Sequence, residues 1–102
     1  MTRGTTPSYV ITIKGMDSLD GMSIEVDIKQ GSALIKFDKD EVVIDEDTIS
    51  ISLTQEQTLT LSTGTAKLQV RGITQSGIAW ASNIVTIPVN PILRAGVIEY
   101  AD

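Results

Sequence analysis

The sequence predicts an all-β chain, a single antiparallel sandwich of about seven strands. Three observations carry this reading. Apolar and polar residues alternate with period two over much of the chain. The alternating runs are short and recur at close spacing, separated by polar turns. No stretch sustains the 3.6-residue period of a long helix, and no internal repeat is visible. At 102 residues the chain is one domain, large enough for a modest core without metals or disulfides.

The elements follow in order. Residues 1–7, "MTRGTTP", read as a flexible N-terminal arm, and residues 8–90 as the sandwich. Val10-Ile11-Thr12-Ile13 is a β-branched run closed by Gly15. Met22, Ile24, Val26 and Ile28 alternate with Ser23, Glu25, Asp27 and Lys29, the pattern of a half-buried strand. Gly31-Ser32 turns the chain into its partner, Ala33-Leu34-Ile35-Lys36-Phe37. Val42-Val43-Ile44, bracketed by acidic residues, reads as a short edge strand whose charge discourages aggregation. Ile49, Ile51 and Leu53 form the fifth strand, and Ala66, Leu68 and Val70 the sixth. "TQSG" at 74–77 is a hairpin turn, with Gly77 supplying positive φ. The return strand spans 78–89, and its apolar phase slips at Ala81-Ser82-Asn83, which predicts a β-bulge. Pro88 confines its end to an edge or a non-bonded position.

One stretch breaks the rhythm. Thr54-Gln55-Glu56-Gln57 has the spacing of a helix-capping box. In immunoglobulin-like sandwiches the fifth and sixth strands lie on opposite sheets, so the chain crosses the core between them. A single helical turn near residues 54–58 crosses compactly while satisfying backbone N–H groups. Thr54 is its expected cap, with Leu53, Leu59 and Leu61 buried around it. The helix start is a corner.

Composition removes several functions. The chain has no cysteine and no histidine, so disulfides, Cys/His zinc sites and a histidine general base are excluded. A net charge of −5 argues against nucleic acid and anionic membrane as partners. No apolar run approaches a membrane span, and the N-terminus lacks the apolar core of a secretory signal. The chain opens on Met and closes on "EYAD", which reads as a complete small gene product left in the cytoplasm where it is made.

The acidic set Asp38, Asp40, Glu41, Asp45, Glu46 and Asp47 is the one cluster with conceivable metal chemistry. It lacks the glycine and distal glutamate of an EF-hand loop, and an apolar run divides it, so solvated turns are the expectation. Glycosidase-type carboxylate pairs could be drawn from it, but the four aromatics, Tyr9, Phe37, Trp80 and Tyr100, offer no sugar platform. No G-x-S-x-G elbow is present. The expectation is no enzyme: no catalytic residue, no metal, no cofactor and no small-molecule substrate.

Two features point to partners. Trp80 reads first as core or rim packing and second as a ligand platform or partner anchor. Residues 91–102 form a C-terminal segment in which Ile92, Leu93, Val97 and Ile98 carry more apolar surface than a free tail should expose. Pro91 and Gly96 let it leave the sandwich at an angle. It either lies back along its own sheet or docks on a neighbouring subunit; the docking arm is the expectation, with residues 1–7 the more mobile end.

Several segments together resemble a known family. "TPSYVITI", the corner "TISISLTQEQTLTL", and "AKLQVRGITQSGIAWASNIVTIPV" followed by "ILRAGVI" are similar to small phage and prophage structural proteins of tailed phages of Gram-positive bacteria. These in turn are similar to the N-terminal domain of phage baseplate upper proteins. The resemblance covers nearly the whole chain. It implies an immunoglobulin-like sandwich built into a virion, in its tail or baseplate, and present in the host cytoplasm during assembly. Its partners would be other virion proteins, copies of itself, or both. Longer members continue into fibre or receptor-binding segments, whereas this chain stops at Asp102, which favours a structural subunit. The rivals are a carbohydrate- or receptor-binding adhesin-type module on the same scaffold and a metal-dependent enzyme or calcium module using the acidic loops.

Overall fold

In the computed structural model, which describes residues 1–100, the alternating runs become eight strands and one helical turn. These are β1 (Ser8–Thr12), β2 (Ser23–Gln30), β3 (Ala33–Phe37), β4 (Val43–Asp45), β5 (Thr48–Ser52), α1 (Gln55–Leu59), β6 (Gly64–Ile73), β7 (Ala79–Ala81) and β8 (Val85–Val89). They form two antiparallel sheets, one ordered β1-β5-β4 and one ordered β3-β2-β6-β7, with β8 also on β6. The second and third strands are a hairpin within one sheet, whereas an immunoglobulin constant-type order separates them onto two.

Period two explains the core. Ile24, Val26 and Ile28 of β2 are fully buried and pair across β6 with Gly72, Val70 and Leu68. Ile49 and Ile51 of β5, with Ile87 and Val89 of β8, join the same core cluster. Each such side chain contributes about 1.5–3 kcal/mol on leaving water. Leu19, in the loop between β1 and β2, is also fully buried. Its N–H donates to the Glu46 carbonyl at 2.7 Å and so anchors the loop against the turn before β5.

The return strand divides where its phase slips. Arg71 pairs with Ala81 and Leu68 with Val85. Gln69 and Val70 of β6 therefore face one residue more, Ser82, Asn83 and Ile84, which is the expected bulge. Ser82 completes the ladder there: its N–H donates to the Val70 carbonyl at 2.8 Å, while its Oγ accepts from the Val70 N–H at 3.0 Å.

The corner lies between β5 on one sheet and β6 on the other. Thr54 caps α1: its Oγ1 accepts from the Gln57 N–H at 3.1 Å, and Gln57 Oε1 accepts from the Thr54 N–H at 2.8 Å. Leu53 and Leu61 are buried as expected, but Leu59 is only half-buried and Thr58 fills the core position. The expected burial of Leu59 placed it just after a helical turn over residues 54–58, alternating with Leu61. The helical turn persists through residue 59, so Thr58 faces inward. Its hydroxyl donates to the Thr5 carbonyl at 2.9 Å and shares the Gln55 carbonyl at 3.2 Å, which satisfies the one fully buried polar side chain among the described residues.

Residues 1–7, read from sequence as a flexible arm, lie against the end of β8 and the corner. Met1 donates its ammonium to the Pro88 carbonyl at 2.8 Å, Asn90 N–H donates to Met1, and Arg3 N–H donates to Asn90. Thr2 and Asn90 form a parallel bridge. The free edge at the end of β8 is thereby covered.

Candidate functional site

Beyond Asn90 the chain leaves the sheet and passes over the corner. Ile92 is half-buried, and its Cδ1 and the Leu59 side chain both approach Gly4, where φ is 76°. A Cβ at Gly4 would stand 2.9 Å from the end of the Ile92 side chain, and the left-handed backbone there favours glycine on its own account. Farther on, the side-chain amide of Gln55 grips the Ile98 backbone. Its Oε1 accepts from the Ile98 N–H at 2.8 Å, and its Nε2 donates to the Ile98 carbonyl at 3.0 Å.

That grip holds backbone and buries little. Ile98 is 76% exposed, Val97 46% and Tyr100 93%, and Leu93 is wholly exposed. Of the four aliphatic side chains singled out in this segment, Ile92 turns inward and Leu93, Val97 and Ile98 face solvent. Residues 101–102 of the segment lie outside the described residues.

Trp80 lies elsewhere. It pairs with Gly72 near one end of β6, whereas Val89, just before the segment, pairs with Gly64 at the other. Eight residues of strand separate the two positions, about 26 Å. The half-buried indole lies on Gly72, where a Cβ would meet the ring at 2.5 Å, and its Nε1–H points at Met22 Sδ, 3.4 Å away. A glycine inside a strand pattern, followed by a tryptophan across a hairpin, was the readable signal for this stacking. The structure does not bring Trp80 together with Ile92, Leu93, Val97 and Ile98.

A second feature, the edge of β1, escaped the sequence reading. Ile13 N–H donates to Asp47 and Leu53 N–H donates to Pro7, so the odd residues of β1 turn their backbone toward β5. By alternation Ser8, Val10 and Thr12 turn theirs outward. Between this edge and β8 lies an open hollow of about 450 Å3. Tyr9, Val10 and Ile11 line it on one side, Val85 and Ile87 on the other, with Met1 among its neighbours. Val10 is 69% exposed, and burial pushes the Tyr9 phenol above its usual pKa. The signal in the sequence was "SYVIT", a strand without charge.

Among the described residues the one ion pair lies away from both features. The Glu25–Arg71 pair, 2.8 Å apart, joins β2 to β6 on the exposed face, and Glu25 raises the Arg71 pKa by hydrogen bonding and charge. Among the described residues no three acidic side chains converge as a cation would need, and no helix is long and apolar enough to cross a membrane. Comparison with protein-family models, with curated proteins and with solved structures found no match to this chain.

Proposed function

We propose that this chain is a non-enzymatic structural subunit of a phage virion, in the tail or baseplate, and acts through protein–protein contacts. The observation that carries the reading is the C-terminal segment, whose Leu93, Val97, Ile98 and Tyr100 side chains are exposed beside a corner that grips only backbone. An apolar segment of this kind is a liability in a solitary protein and a contact surface in an assembly. The phage resemblance of the strand and corner motifs supplies the setting, and an immunoglobulin-like relationship of the sandwich belongs to the same proposal. The crossing from β5 to β6 through a capped turn supports it. Partners are other virion proteins, copies of this chain, or both.

The test is the protein content of phage particles purified from the genome that encodes the chain. Stoichiometric presence by mass spectrometry, lost on Leu93→Asp with Ile98→Asp while the soluble protein keeps its melting temperature, is the expected result. Complete, infectious particles without the chain would overturn the reading.

A further inference from the structure

We propose that the open edge of β1 receives the C-terminal segment of a second copy of this chain, residues 92–98 adding as a strand over the hollow between β1 and β8. The inference rests on the reading of that segment as the contact-making part, and it names the surface the segment meets.

The five strands at sheet margins are not treated alike. Acidic residues bracket β4, Lys36 lies in β3, and β7 has only three residues. On β8, Pro88 has no N–H and its carbonyl is taken by the Met1 ammonium. These are the usual ways of blunting an edge. β1 has none of them: Ser8–Thr12 carries no charge and no proline, and three residues present unpaired backbone groups outward. An edge left open among protected ones is a pairing surface.

The occupant is on the same chain. In extended form residues 92–98 would place Leu93, Ala95 and Val97 on one face, an apolar row suited to a hollow lined by Tyr9, Ile11, Val85 and Ile87. Ile92, Arg94 and Ile98 would lie on the opposite face, with Arg94 at its centre toward water. Gly96 now has φ of 128°, a region closed to other residues, and glycine alone passes easily from there to a strand. Exchange also conserves hydrogen bonds. The two Gln55 bonds to Ile98 would be given up for backbone bonds to Val10 and its neighbours, while the exposed Leu93 and Val97 side chains gain cover.

The segment's own edge is closed to it. Residues 1–3 occupy the space beside residues 88–90, and Ile92 is drawn to the other side, against Gly4 and Leu59. A second copy has no such obstruction. Residues 91–98 span about 26 Å when extended, against about 17 Å for the five residues of β1. Two copies related by a two-fold axis would each give and receive a strand, doubling a pairing that alone is short for a stable interface. Approach by β1 also keeps the acidic β4 edges apart, because β4 lies on the far side of β5.

The test is sedimentation velocity on the full chain and on full-length variants. The wild type should form a dimer that dissociates on dilution. Val10→Lys, which charges the edge at an exposed position, and Leu93→Asp with Val97→Asp, which spoils the donated strand, should each raise the dissociation constant at least about tenfold with unchanged circular dichroism. Thr12→Lys, also at an exposed position, repeats the edge test should Val10→Lys perturb the fold. Mixing the edge variant with the strand variant rebuilds one of the two pairings, so the mixture should associate more tightly than either variant alone and less tightly than the wild type. A wild type that stays monomeric at high micromolar concentration, edge variants that dimerise normally, or a mixture that associates no more tightly than either variant alone would each overturn the proposal. Incorporation into particles by a monomeric chain would leave the structural role standing and remove only this surface.

Discussion

The two ends of the chain reverse what their compositions suggest. The N-terminal residues are mostly polar and small, yet residues 1–3 are stitched to β8 by three backbone hydrogen bonds, and Arg3 also donates to the Leu59 carbonyl at 3.2 Å. The C-terminal residues are apolar, yet beyond Ile92 their side chains face water and a single glutamine holds them. Backbone groups form ladders whatever side chains accompany them. Apolar side chains stabilise only where a facing surface is free to receive them. Local composition therefore says little about which end belongs to the folded domain, and the apolar end is the one left for a partner.

The comparison is broken most strongly from the N-terminal side. Deleting residues 1–3 removes three backbone bonds and reopens the end of β8, and should cost about 3 kcal/mol in urea unfolding. A loss below about 0.5 kcal/mol would make the N-terminus as dispensable as the C-terminus. Thr58→Val should cost about 1–3 kcal/mol, because the Thr5 carbonyl loses its buried donor while the volume is kept. That variant asks whether the corner and the N-terminal segment stabilise each other. Leu93→Ser should be the mildest, within about 0.5 kcal/mol of wild type, since its side chain touches nothing in its own domain. A large loss there would show that the C-terminal segment is part of the fold.

What the sequence made legible was whatever depends on periodicity. The strands around Ile24, Val26 and Ile28, the capped corner at Thr54 and Gln57, and the bulge near Ser82 all follow from local pattern. What escaped is set by tertiary pairing. Leu19 is an isolated leucine in "MDSLD", with no periodic neighbour to announce its burial. Thr58 and Leu59 exchanged roles because one extra helical residue shifts the phase. The stitching of Met1, Thr2 and Arg3 uses backbone alone, which no side-chain pattern records. The open edge at Val10 became visible only with the strand order, because a strand is an edge by its position in a sheet.

The most direct test is truncation after Asn90, followed by urea unfolding and sedimentation of the shortened chain. A segment built for a partner predicts a folded domain within about 1 kcal/mol of the full chain, the loss coming from Ile92, together with loss of association. A shortened chain that unfolds, or one that stays folded and assembles as before, would contradict the account.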